Sequence, residues 1–127
     1  MTKFSRRALF WAPRVLSIAF IAFLSLFALD VFSEGYGVWR TLVALTIHLI
    51  PSFVLIAVLV LAWWWEWIGA ALYAAAGMLY VIWVLPLPIP PATKLNWILT
   101  IAGPAFVIAA LFLVNWLKRG ELRAHPC

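Results

Sequence analysis

The chain has 127 residues, 68% of them hydrophobic and 10% charged, and a formal net charge of +5. Soluble domains carry about 25% charged residues. With so little polar surface and a mean hydropathy of +1.11, this chain cannot cover a globule in water, so lipid must solvate most of its outer face. The basic residues gather at the chain ends and beside apolar runs, which argues against nucleic acid and for orienting charges at a bilayer.

Residues 1–14 are basic and aromatic, with Lys3, Phe4, Arg6, Arg7, Phe10, Trp11 and Arg14. This segment is expected to lie at the cytoplasmic interface, rings at headgroup level and charges outward, with Pro13 dividing it from the apolar run beyond. A first span is predicted over 15–32. Its apolar run is longer than the roughly 7–15 residues of a cleaved signal, and residues 30–35 offer no small-residue cleavage site, so it reads as a retained helix. Ser5-Arg6-Arg7 resembles the start of a twin-arginine export signal, but positive charge holding the N-terminus inside explains the same residues.

Ser33-Glu34-Gly35-Tyr36-Gly37 breaks the run with two glycines. The second span is predicted over 39–62, with Pro51 removing one backbone hydrogen bond. Trp63-Trp64-Trp65-Glu66-Trp67 comes next, without a strong turn residue before Gly69. A single helix from 39 to 85 would run about 70 Å, against a hydrocarbon core of about 30 Å, so a tight reversal is required here. Glu66 then falls in the first turn of the third span, 67–85, where a carboxylate suits the helix dipole. Pro86, Pro88, Pro90 and Pro91 end that span, and the stretch is expected to be extended and stiff. The fourth span is predicted over 95–117, with Gly103-Pro104 near its middle. A basic tail, 118–127, ends in Cys127, the single cysteine, which leaves no internal disulfide.

The reading is an all-α membrane protein: four transmembrane helices in an up-down bundle occupying 15–117. Lys3, Arg6, Arg7, Arg14, Lys118, Arg119 and Arg123 would lie on one side, and Arg40 and Lys94 on the other. The positive-inside rule then makes both termini cytoplasmic. Trp11, Trp63, Trp64, Trp65, Trp67 and Trp116 fall at the inner interface and Trp39, Trp83 and Trp97 at the outer one, as two aromatic belts should.

Ionisable residues inside a span are costly and mark candidate sites. His48 lies roughly 12 Å into the second span from Arg40, and Thr41, His48, Ser52 and Leu55 share a face with Ala44 beside them. Asp30, near the outer end of the first span, lies at a similar height. Together they form the candidate intramembrane polar site, for protons or ions. Each also has a structural reading: a neutral histidine holding two helices together, and a carboxylate reaching the interface or Arg40. Ser25 and Asp30 point about 140° apart at 100° per residue, which counts against a shared polar lumen.

Gly69, Tyr73, Ala76, Gly77 and Tyr80 fall on one face of the third span, where small residues admit a neighbouring backbone. Asn96, Thr100, Gly103, Val107 and Ala110 form a comparable stripe on the fourth, and the two stripes are expected to meet. No nucleotide loop, nucleophile motif or metal-ligand cluster is present, so no catalytic, cofactor or metal residues are assigned and no cofactor is expected.

Ala28-Leu29-Asp30-Val31-Phe32, His48-Leu49-Ile50-Pro51-Ser52 and Trp65-Glu66-Trp67-Ile68-Gly69 together resemble a family of small prokaryotic four-helix membrane proteins of unknown function, over about residues 15–117. The resemblance implies the architecture and no mechanism. Three functions compete. The first is an accessory subunit or assembly factor, partnered by another membrane protein or by a second copy, and expected to tolerate loss of His48 and Asp30. The second is a small oligomeric transporter or channel using Asp30 and His48. The third, a membrane enzyme, ranks last, because one histidine and one aspartate do not define a site. The expected location is the bacterial cytoplasmic membrane.

Overall fold

The Thr2 hydroxyl accepts the Ser5 amide at 3.1 Å, an N-cap of the ordinary kind. The helix that starts there, α1 (Lys3–Leu26), continues through Pro13. The computed structural model describes residues 2–123, with the side chains of Glu121 and Arg123 outside the description. Cys127 therefore lies outside the described residues. Residues 3–14 form the first turns of α1, continuous with the apolar run beyond Pro13. Proline inside a helix leaves the carbonyl four residues earlier without its donor. Here that carbonyl belongs to Leu9, and Asn115 Nδ2 donates to it at 2.7 Å from the other end of the chain. A side chain thus supplies the missing bond, and the helix need not end.

α1 tightens into a 3₁₀ segment, Phe27–Ser33, and the chain turns at Gly35, whose φ of 71° suits a residue without a Cβ. α2 (Val38–Trp64) and α3 (Glu66–Val84) are separated by Trp65 alone, with φ −125° and ψ 87°. The reversal is as tight as the length argument requires. Residues 85–89 are not extended. Leu87 N donates to the Val84 carbonyl at 3.0 Å and Ile89 N to the Leu87 carbonyl at 2.9 Å, so the prolines sit in consecutive turns, and Lys94 Nζ closes the loop on the Leu85 carbonyl at 2.5 Å. Pro90 has polyproline-like angles, φ −57° and ψ 143°, and Pro91 opens α4 (Pro91–Trp97) at the first helical position, where its missing N–H is harmless.

The fourth span starts earlier than 95 and is not uniform. After α4 comes a π-helical segment, Ile98–Ala102, then α5 (Gly103–Leu117). A straight α-helix would drive the Pro104 ring against the Thr100 carbonyl. The wider turn, with Gly103 N donating to Ile98, relieves that clash. A short α6 (Arg119–Arg123) completes the described chain.

Four helical spans, Lys3–Ser33, Val38–Trp64, Glu66–Val84 and Pro91–Leu117, are long and apolar enough to cross a membrane, and no strand occurs among the described residues. α1 packs on α2, α2 on α3, α3 on α5, and α5 back on α1, which makes an up-down bundle with both ends of the described chain at one end. We call that the terminal end and its opposite the far end. Glycines on α3 receive large side chains from α5. A Cβ added at Gly69 would lie 2.5 Å from the Ala62 Cβ and 3.0 Å from the Phe112 ring, and one at Gly77 would lie 2.8 Å from Phe106. Lipid tails are as apolar as leucine, so such close packing, rather than exclusion from water, holds these helices together.

Candidate functional site

The polar interior lies at the terminal end. Arg14 is fully buried, and its side chain is committed on several sides. Nη1 donates to the Phe10 carbonyl at 2.6 Å, Nη2 donates to the Trp63 carbonyl at 3.0 Å, and Nη2 lies 3.5 Å from Oε1 of Glu66, itself 3% exposed. The guanidinium stacks 3.7 Å from the centre of the Phe10 ring. The sequence placed Arg14 among outward headgroup charges, and the structure turns it inward. The reason is the reversal beside it. Trp63 is one of the last residues of α2, whose end carbonyls lack helical donors and carry the negative end of the dipole, while Glu66 opens α3 at a positive end. Arg14 meets both. Glu66 therefore does more than face its own helix dipole: it pairs across the bundle with α1.

Deeper in, Ser17 and Tyr73 share a buried hydrogen bond, and Tyr73 stacks on Phe112 with ring centroids 6.1 Å apart. Asn115 is also fully buried, and Nδ2 donates to Leu111 as well as to Leu9. These groups hold α1, α3 and α5 to one another. Each is bonded to another group inside the bundle, while Asn115 Oδ1 is buried with no hydrogen-bond partner among the described residues.

Asp30 and His48 lie elsewhere and apart in chemistry. Both are exposed. The Asp30 backbone carbonyl accepts from Ser33 Oγ at 2.7 Å, and His48 Nδ1 lies 2.8 Å from its own helix at the Ala44 carbonyl. Among the described residues no hydrogen bond or ion pair joins Asp30 to His48 or to Arg40. Of the face that carries His48, Ser52 and Leu55 are buried, Thr41 is half-buried and His48 is exposed, because α2 has no buried residue between Val38 and Pro51. Ser25 Oγ lies 2.9 Å from Ser52 Oγ, a small polar link between α1 and α2.

On α3, Gly69, Tyr73 and Gly77 are buried, and Ala76 and Tyr80 half-buried. The stripe expected to meet them is displaced. Asn96, Thr100, Val107 and Ala110 are exposed, and α5 instead buries Ala105, Ile108, Ala109, Phe112 and Asn115. Small residues were the wrong signal on this helix, since glycines on one side call for bulk on the other. Sequence reasoning also missed Arg14, Ser17 and Asn115. A signal for the first existed: a basic and an acidic residue, Arg14 and Glu66, border the same interface on the first and third spans.

Among the described residues no group of three or more histidine, cysteine, aspartate or glutamate side chains is placed to hold a metal ion. Fold and polar interior define a small polytopic helical membrane protein whose buried polar groups serve packing. The family described as Domain of unknown function (DUF7670) matches residues 1–123, and the chain belongs to it. No curated protein and no solved structure matches the chain.

Proposed function

We propose that this protein is a non-catalytic accessory subunit or assembly factor, seated in the bacterial cytoplasmic membrane with both termini in the cytoplasm. The observation that carries the reading is His48. Intramembrane histidines ordinarily face a bundle interior or a polar cavity. This one stands exposed on the flank of α2, with Nδ1 on its own helix and no hydrogen bond to the other ring nitrogen among the described residues. A helix of another membrane protein would give that nitrogen a partner, in a contact of the kind polar side chains make between spans. Lys3, Arg6, Arg7, Lys118 and Arg119 at the terminal end outweigh Arg40 and Lys94 at the far end even with Arg14 neutralised by Glu66, which supports the orientation.

The transport alternative draws less support. It needs Asp30 and His48 to share a lumen, and both are exposed with no bond between them, so the lumen would have to form between copies. Gentle purification of the tagged protein from its own membranes, followed by native mass spectrometry, separates the two. Against the tolerance of His48 loss expected from sequence, its exposed position makes the accessory reading expect a second protein at fixed stoichiometry, weakened in His48→Leu while the bundle itself stays folded. A homo-oligomer alone, unchanged by His48→Leu, would sink it.

A further inference from the structure

Two backbone irregularities, far apart in sequence, border one cavity. Pro51 interrupts the hydrogen bonding of α2, and the π-helical segment Ile98–Ala102 interrupts the fourth span. Pro51, Ile101 and Ala102 all line a cavity of about 240 Å³ near the middle of the bundle, with Phe20 from α1 and Tyr80 from α3. π-Helical turns in otherwise α-helical spans frequently sit at functional sites, and here one lies across the cavity from a proline. All four spans contribute to the wall. Tyr80 is the one lining residue with a polar side-chain atom, and no hydrogen bond to its hydroxyl occurs among the described residues.

The physical chemistry of this space selects its occupant. A water molecule needs about 2–4 polar partners to stay in a cavity, and apolar cavities stay dry. The lining here offers at most one hydroxyl. An engineered apolar cavity of about 150 Å³ takes up benzene, so this larger one has room for several methylene groups. The cavity is not sealed. Pro51 and Val54, both of which line it, are exposed on the flank of α2. In a bilayer the medium at that flank is hydrocarbon. A polar metabolite or ion finds neither donors nor charge inside, and a chain of CH₂ groups loses nothing by entering.

We propose that the cavity is a lateral binding site for one acyl chain of a membrane phospholipid, entering beside Pro51 and Val54 and reaching inward to Ala105. Pro51 and the π-helical segment keep α2 and the fourth span from closing on each other, and the chain occupies the space they leave. The lipid site does not rest on the partner proposed for His48, although its entry at Pro51 lies one turn from His48 on the same flank of α2.

The test uses the full chain reconstituted in phosphatidylcholine bilayers containing a phosphatidylcholine with a diazirine midway along one acyl chain. After irradiation, adducts are mapped by peptide mass spectrometry. The proposal expects adducts on Leu55, Tyr80 and Ile101, saturable and competed by unlabelled phosphatidylcholine. It expects their loss in Ala105→Phe and in Ala76→Leu, two fillings from different helices, while adducts on the outward-facing Phe53 and Leu61 persist in both as the control for folding. Adducts confined to Phe53, Leu61 and similar outer positions, or cavity adducts equally strong in both filled variants, would overturn it.

Discussion

The two halves of this bundle solve the same problem differently. At the terminal end, backbone groups left over by a proline and by a one-residue reversal are bonded by side chains from distant segments: Asn115 on the Leu9 carbonyl, Arg14 on the Trp63 carbonyl and the Glu66 carboxylate. The result is a dense polar core around Arg14, Ser17, Tyr73 and Asn115. At mid-span, Pro51 and Pro104 raise the same difficulty, and from there toward the far end the helices loosen instead. The fourth span widens into a π turn, α2 buries nothing before Ser52, and a cavity opens. Prolines in membrane helices are thus tolerated either by a donor brought from elsewhere or by local relaxation. The first route makes one end rigid, and the second leaves space at the other.

Substitutions should expose that asymmetry. The largest loss is expected for Arg14→Met, which strands a buried carboxylate and a helix-end carbonyl. Removing one partner of a buried pair costs about 3–5 kcal/mol, read as the shift in the unfolding midpoint in mixed micelles. Gly69→Val comes next. Its first added carbon would already overlap Ala62 and Phe112, and overpacking costs about 1–3 kcal/mol by the same measurement. Asn115→Leu should cost about 1–3 kcal/mol, the penalty for an unsatisfied buried acceptor, and hydrogen exchange should rise in α1 around Pro13 rather than in α2. Ser25→Ala, at the border of the loose half, should cost about 0.6 kcal/mol, the average for hydrogen bonds between membrane helices. His48→Leu should leave the unfolding midpoint within about 0.5 kcal/mol of wild type while weakening any complex. If far-half changes proved as damaging as Arg14→Met, the contrast between the halves would fail.

Much of the fold was legible in the sequence because its signals are local. Four apolar runs, glycines at 35 and 37, the proline cluster at 86–91 and the length limit at the tryptophan run give the spans and their alternation. What stayed hidden depends on partners remote in sequence. Pro13 reads as a helix boundary unless Asn115 is known to supply the Leu9 carbonyl with a donor. Arg14 reads as a headgroup charge until the α2–α3 reversal is folded against α1. Asp30 and His48 drew attention as polar residues in spans, yet spacing along one helix cannot say whether a neighbour covers that face, and at the far end of α2 none does. On α5 the small-residue stripe misled because Gly69 and Gly77 select Phe112 and Phe106 as their neighbours.

The central claim is that Arg14 and Glu66 act as one unit that locks α1 to the reversal between α2 and α3. A double-mutant cycle on unfolding in mixed micelles, with Arg14→Met, Glu66→Met and both together, tests it most directly. The account predicts that each single change is severely destabilising and that the double variant recovers part of the loss, with a coupling of about 0.5–3 kcal/mol, since an apolar pair strands no charge. Additive losses, or a Glu66→Met variant as stable as wild type, would contradict it.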